Sequence, residues 1–358
     1  MFNHPDFDGH EGVHIFSDAK SGLQAVIAVH NTARGPSAGG TRLWSYADPK
    51  DAVTDALRLS KAMSYKNAMA GLSLGGGKAV IIRPEVEFDR KALFEAYGRA
   101  VQTIGGTYIT AEDVGVSPDD MRVIKTQTDF VAGLDDGPAA SGDPSPVTAE
   151  GVFRSIKIAV RHAMGRESLK GLRVAVQGLG HVGYGLCEHL SGAGVQLIVT
   201  DINKAVLERA KSELGAIIVK PDEIYAVEAD VFAPCALGGA ISETTLPQIK
   251  AKVIAGAANN QLASLEMGEA CRQRGILYAP DYVVNAGGII NVAAEVSGNY
   301  DPIWVNKKLD ELEVTISDIF NLALSQRLAT NIEYSKGHPY QTDEAIRLLA
   351  MSLNFQRS

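Results

Sequence analysis

Alternating apolar positions over 14–32, interrupted by Asp18-Ala19-Lys20-Ser21-Gly22, predict a β-hairpin. The glycine-rich stretch 35–40 reads as a loop. Over 49–69 the spacing becomes helical: Ala56, Leu59, Met63 and Lys66 share one stripe, and Asp51, Asp55 and Arg58 another. A strand is expected over 78–82, a helix over 89–105 and a strand over 108–114. Ser117 with Pro118 behind it reads as a cap and first turn of a further helix. The Gly-, Pro- and Ser-rich segment 135–146 is the predicted boundary. Beyond it a helix over 147–163 leads into strands at 173–177, 196–200, 231–233, 252–255 and 276–279, with helices between them. Strict alternation of strand and helix predicts a parallel, doubly wound sheet. Helical patterns at 308–324 and 343–353 close the chain.

Length and apolar content suit two α/β domains of ordinary size. Lys plus Arg is 34 and Asp plus Glu is 42, a net charge of −8. That balance argues against nucleic acid or an anionic membrane as partner. No apolar run approaches membrane-spanning length, and the N-terminus does not read as a signal peptide. Cys187, Cys235 and Cys271 are far apart and form no metal-type pair, so free thiols in a reducing cytoplasm, and no metal site, are expected.

The first chemical signal follows the predicted strand at 173–177. Gly178-Leu179-Gly180-His181-Val182-Gly183 opens a helix, and Asp201 ends the next strand eighteen residues after Gly183. The glycines permit a tight turn, close approach of a pyrophosphate and close helix–strand packing, while the helix N-terminus attracts phosphates. Asp201 would accept hydrogen bonds from an adenosine ribose and repel a 2′-phosphate, which favours NAD over NADP; Lys204 nearby is the one residue against that preference. His181 lies inside this cofactor-binding turn, as a packing or surface residue.

The second signal is a pair of lysines twelve positions apart: Lys66 on the helical stripe, and Lys78 behind Gly75-Gly76-Gly77. The triplet is not a phosphate loop, because position 72 is Leu and position 79 is Ala. Two neighbouring cations would repel, lowering the pKa of at least one from about 10.4 and equipping it to move protons. Asp113, at a predicted strand end, adds a carboxylate. Singly, each of these residues has an ordinary reading as a surface or turn residue. Together they supply a carboxylate anchor, a cationic acid/base and an anionic proton carrier.

At this point the chain resembles the leucine/phenylalanine/valine dehydrogenases, within the wider glutamate dehydrogenase superfamily. The resemblance rests on GPSAGGTR (35–42), SYKNAMAG (64–71), LGGGKAVII (74–82), YITAEDVG (108–115), SPVTAEGV (145–152), VQGLGHVG (176–183), DVFAPCALGG (230–239), VIAGAANNQL (253–262) and YAPDYVVNAGG (278–288). It implies that Lys66 holds the substrate carboxylate, helped by backbone at Gly39 and Gly40. Lys78 would activate water and Asp113 would exchange protons with the substrate amine. It further implies that Thr148, Asn259 and Asn285 meet the cofactor and that Asn260 meets the substrate, although asparagines at such strand ends also serve ordinary turns. Ala38, Ala111, Ile289 and Val292 would line the side-chain pocket. Glutamate enzymes carry a lysine where this chain has Ala38, so an apolar substrate is expected. Ala38 itself resembles the phenylalanine type and Ala111 the leucine type.

The expected architecture is an N-terminal substrate-binding and catalytic domain, 1–146, and a Rossmann-type NAD-binding domain, 147–330, with helices at about 331–358 packing back on the first. The expected activity is NAD-dependent, reversible oxidative deamination of a hydrophobic L-amino acid, leucine or another branched-chain amino acid first and an aromatic one second, by a cytoplasmic homo-oligomer. A hydroxyacid dehydrogenase would need a His–carboxylate pair and an Arg anchor, and no His is placed for it. A non-catalytic NAD-binding protein would not need Lys66, Lys78 and Asp113.

Overall fold

A computed structural model describes residues 1–134, 140–264, 266–298 and 300–326. The chain divides into two units, one comprising Met1–Pro144 with Ile289–Asn306, the other Ser145–Gly288 with the chain from Lys307 onward. The expected helices at 343–353 and about 331–358 lie outside the described residues. Among those described, no helix is long and apolar enough to cross a membrane.

The first unit opens with the expected hairpin, β1 (Gly12–Asp18) and β2 (Leu23–Asn31). Ser21 Oγ donates to Asp18 Oδ2 at 2.7 Å, and Gly22 takes the left-handed backbone that closes the turn. Next comes a correction to the sequence reading. The expected loop at 35–40 is mostly strand, β3 (Ser37–Trp44), followed by α1 (Pro49–Met69) and β4 (Gly75–Ile82). Glycine weakens a strand by propensity, yet here it answers a close approach. A Cβ on Gly39 would lie 1.9 Å from the carbonyl oxygen of Gly77, and one on Gly40 would lie 2.7 Å from Cβ of Asp113.

The unit continues with α2 (Arg90–Thr103), β5 (Tyr108–Glu112) and α3 (Pro118–Lys125). Ser117 and Asp120 cap α3 reciprocally, as the Ser-Pro start foretold. The five-stranded sheet has the order β1-β2-β4-β3-β5; β4, β3 and β5 are mutually parallel and β2 is antiparallel to β4. Alternation divides the strand residues between two faces. Val26, Ala28 and Val80 pack under Ala52, Ala56 and Leu57 of α1. Ala25, Ile27, Ala79 and Ile81 pack with Leu93, Phe94 and Tyr97 of α2 and Met121 of α3. Lys78 shares the parity of Val80 and so belongs to the α1 face.

The second unit starts with α4 (Ser145–Met164) and continues through β6 (Arg173–Gln177), α5 (His181–Gly192), β7 (Gln196–Thr200) and α6 (Lys204–Leu214). Then follow β8 (Ile217–Ile218), β9 (Val231–Pro234), β10 (Val253–Ile254), α7 (Glu266–Gln273), β11 (Leu277–Tyr278) and α8 (Asp281–Val284). The six-stranded sheet is parallel, ordered β11-β10-β9-β6-β7-β8. The chain winds outward from β6 to β8, then returns to β9 beside β6 and winds the other way. Ligands of doubly wound sheets bind at such a reversal, beyond the carboxyl ends of the strands, here β6 and β9.

Two last helices are α9 (Gly287–Val296) and α10 (Pro302–Gln326). From Ile289 the chain rejoins the first unit. Glu295, 7% exposed, explains the attachment: its carboxylate accepts from the N–H groups of Gly133 (2.9 Å) and Leu134 (3.1 Å) and from Ser141 Oγ (2.7 Å). Asn291 donates to the Ser141 carbonyl at 3.1 Å. Nothing in the sequence pattern separates 289–306 from the expected domain at 147–330, because a helix pattern reports a buried face and not what buries it.

Candidate active site

Lys78 stands in the middle strand of its sheet and is 6% exposed. A lysine so buried needs a partner. The partner is Asp113, just past β5, whose Oδ2 accepts from Lys78 Nζ. The charge in direct contact with Lys78 is therefore an anion, beside whatever Lys66 contributes. Burial works against ionisation of Asp113, but the charges of Lys78 and Arg42 outweigh it and hold the carboxyl well below the usual carboxylate range.

Lys66 lies half-buried in the last turn of α1. Ala52, Ala56, Leu57, Ser60 and Asn67 of α1 are buried, and Leu59, Met63 and Lys66 are half-buried; a Cβ on Gly39 of β3 would lie 3.2 Å from Met63 Cγ. The C-terminal half of the helix is pressed onto β4: a Cβ on Gly76 would lie 2.3 Å from the backbone nitrogen of Ser64. Asn67 Nδ2 donates to the Gly75 carbonyl at 2.6 Å. These contacts set the last turn of α1 against the strand start that leads to Lys78. The glycine triplet is thus a packing surface, consistent with its failure as a phosphate loop.

Arg42 is the residue that sequence reasoning missed. From β3 its Nε donates to Asp113 Oδ2 at 3.0 Å, and its Nη1 donates to Asp55 Oδ2 at 3.1 Å. Tyr46 closes the row by donating its hydroxyl to Asp55 at 2.6 Å. Asp55 and Asp113 lie thirteen and seventy-one positions from Arg42, so no local spacing signals the constellation.

Of the four expected pocket residues, Ala111, Ile289 and Val292 gather in one apolar cluster with Ala132, Ile109 and Val296. Ala38 is buried on β3, opposite Ile109 of that cluster and Gly76. Gly39 and Gly40 follow it, and the Gly39 carbonyl accepts from the Tyr108 hydroxyl at 2.7 Å.

In the second unit the turn after β6 fits a dinucleotide. Gly178 takes φ +97°, and a Cβ there would lie 2.8 Å from Cβ of Ala236 beyond β9. A Cβ on Gly183 would strike the Gly178 carbonyl at 2.1 Å, whereas Gly180 faces open space. Gly180 caps α5 with no side-chain acceptor, so Gly180, His181, Val182 and Gly183 open a helix that no side chain caps. Asp201, beyond β7, accepts from the Leu179 N–H at 2.6 Å and from the Asn203 N–H at 2.7 Å, which ties the acidic residue to the glycine turn.

The other expected residues of this unit collect at the same sheet edge. Asn285 Nδ2 donates to Asn259 Oδ1 at 2.7 Å and to the Ala257 carbonyl at 3.1 Å, while Asn285 Oδ1 is buried with no hydrogen-bond partner. Asn260 takes φ 53°, the one positive value at a residue other than glycine among the described residues, and its carbonyl accepts from Gly239 N at 2.7 Å. Thr148, 9% exposed on α4, abuts Gly287, where a Cβ would lie 2.9 Å from Thr148 Cα.

Comparison with known proteins accords with this arrangement. Residues 10–130 match the family model described as Glu/Leu/Phe/Val dehydrogenase, dimerisation domain, and residues 196–346 match Glutamate/Leucine/Phenylalanine/Valine dehydrogenase. Leucine dehydrogenase of Bacillus cereus is 49% identical over 93% of this chain and 90% of its own length. Phenylalanine dehydrogenase of Lysinibacillus sphaericus is 43% identical over 90% of this chain and 85% of its own. The crystal structure of L-tryptophan dehydrogenase from Nostoc punctiforme superposes with a TM-score of 0.80 at 42% identity, covering 98% of this chain and 97% of that one. Sequence, fold and the juxtaposed lysine and aspartate agree: this chain belongs to the glutamate/leucine/phenylalanine/valine dehydrogenase family of amino-acid dehydrogenases.

Proposed function

We propose that this enzyme carries out NAD-dependent, reversible oxidative deamination of a hydrophobic L-amino acid, with leucine or another branched-chain amino acid as the preferred substrate. The observation that carries the proposal is the contact of buried Lys78 with Asp113, in a member of this family. An amino acid, water and the oxidised cofactor give the 2-oxo acid, ammonium, the reduced cofactor and a proton. The nicotinamide, when bound, takes the hydride from the α-carbon.

The chain's own residues do the rest. Lys66 pairs with the substrate carboxylate, and backbone at Gly39 and Gly40 helps to hold it. Lys78, once deprotonated, takes a proton from water as its oxygen adds to the iminium carbon. The resulting ammonium stabilises the carbinolamine. Asp113 exchanges protons with the substrate nitrogen as the C–N bond breaks.

Ala38, Ala111, Ile289 and Val292 receive the apolar side chain, and Asn260 meets the substrate. Thr148, Asn259 and Asn285 meet the nicotinamide end of the cofactor. The turn from Gly178 to Gly183 takes the pyrophosphate, and Asp201 takes the adenosine ribose, which selects NAD. A second reading, an aromatic substrate, draws support from the small side chain at Ala38 and from the relatives named for tryptophan and phenylalanine. Assembly as a homo-oligomer is part of the proposal and is supported by the match of residues 10–130 to a dimerisation domain.

Nicotinamide reduction measured with NAD and NADP, over a panel of amino acids and 2-hydroxy acids, tests this reading. Leucine, isoleucine and valine with NAD are expected to exceed phenylalanine, with no reduction from hydroxy acids. A phenylalanine optimum replaces the aliphatic reading. No reduction with any amino acid overturns both.

A further inference from the structure

Asp113 is gripped at one atom from two sides. Lys78 Nζ and Arg42 Nε both donate to Oδ2. Arg42 is itself fastened, with Nη1 at 3.1 and 3.4 Å from the two oxygens of Asp55, and Asp55 also accepts from the Tyr46 hydroxyl. The row Tyr46–Asp55–Arg42–Asp113–Lys78 alternates two anions with two cations. Exposed ion pairs contribute little, but Arg42 and Asp113 are each only 21% exposed at the side chain. Arg42 meets the two aspartates with different nitrogens of one rigid fork, a geometry that a lysine cannot reproduce.

The chemistry gives this fork a purpose. During water activation Lys78 must give up its proton, and Asp113 then loses one of its two neighbouring positive charges. A guanidinium does not deprotonate, so Arg42 remains charged throughout. We propose that Arg42, fastened by Asp55 and Tyr46, is a positioning residue for Asp113: it holds the carboxylate by Oδ2 and keeps it anionic while Lys78 changes charge. The inference rests on the functional reading above.

The titratable groups around Asp113 include Lys78 from β4, Arg42 from β3, Asp55 from α1, Tyr46 beyond β3 and Tyr108 from β5. Burial pushes the Tyr108 phenol up to about 12, and burial together with Asp55 pushes that of Tyr46 upward, so both stay neutral at working pH. Burial disfavours the Arg42 charge, and Asp113 and Asp55 restore it.

The test compares Arg42→Met, Arg42→Lys and Asp55→Asn with the unaltered full-length chain. Two quantities are measured: the carbon-13 shift of the Asp113 carboxyl against pH, assigned by its loss in Asp113→Asn, and the pH profile of kcat/KM. Arg42→Met is expected to raise the Asp113 titration by at least about one pH unit and to bring the acid limb of the profile up with it. Arg42→Lys should restore the titration toward that of the unaltered chain but not the full kcat, and Asp55→Asn should lower kcat without raising the limb. A uniform loss of rate in Arg42→Met with the Asp113 titration unmoved would mean that Arg42 only supports the fold, and overturns the proposal. Should Arg42→Met not fold, undiminished kcat in Arg42→Lys overturns it. If the unaltered chain reduces no cofactor with any amino acid, the functional reading fails, and the carboxyl titration still decides whether Arg42 governs Asp113.

Discussion

Lys78 and Asp113, thirty-five positions apart, meet because β4 and β5 flank β3 in register and Gly40 has no side chain to hold them off. If Lys78 is the group that activates water, Lys78→Ala should lower turnover by about a hundred- to ten-thousand-fold. Cofactor affinity, read by fluorescence titration, should persist, because the glycine turn belongs to the other unit. Near-normal turnover in this variant would sink the assignment.

Substrate choice is expected to turn on small side chains. Ala38→Leu adds volume at a buried position on the strand beside Ile109. The expected result is a fall in kcat/KM for phenylalanine relative to leucine, by up to about 1–3 kcal/mol, or roughly 10- to 200-fold. An unchanged ratio in the two assays would remove Ala38 from the pocket.

Asp201 should govern cofactor choice. Asp201→Ser removes the carboxylate that accepts from Leu179 N, and with it the charge that would repel a 2′-phosphate. A hydrogen bond to a charged group contributes about 1.5–3 kcal/mol, so the NAD/NADP ratio of kcat/KM should drop about ten- to a hundredfold. An unmoved ratio would place selection elsewhere.

Stability should fall on mild acidification. Burial, together with the neighbouring His10, depresses the pKa of His30 to about 4, and its Nδ1 is bonded to Ser64 Oγ at 2.7 Å. Between about pH 6.5 and 4 the unfolded chain binds a proton at this position that the folded chain refuses, so folding loses up to about 3 kcal/mol across that window and regains none of it lower down. Urea midpoints measured from pH 7 to 4 should drop less steeply for His30→Gln. Parallel curves would show that His30 does not control this slope.

Much of this molecule was legible in its sequence, for physical reasons that differ by element. The second sheet announced itself because each strand is an apolar run bounded by turn residues, and because its first strand runs into glycines at 178, 180 and 183. β3 hid because Gly39 and Gly40 satisfy neighbouring backbone and Asp113, contacts that no local pattern encodes. Arg42 hid because its partners are distant in the chain. The stripe through Met63 and Lys66 omits Ser60 and Asn67, two polar residues that α1 buries against the sheet, which no apolar pattern can register. Two-residue β8, after the left-handed Gly215, is too short for any periodicity to register.

The return of Ile289–Asn306 to the first unit bears on how this protein can be divided and inherited. A gene cut after Pro144 would yield an N-terminal fragment missing the acceptor for Gly133, Leu134 and Ser141. Each of these hydrogen bonds to a charged acceptor contributes about 1.5–3 kcal/mol, a large share of a domain's stability. The first unit is therefore not closed by Met1–Pro144 alone. A chimaera that takes the first unit from a relative should keep that unit intact only if the 289–306 segment travels with it.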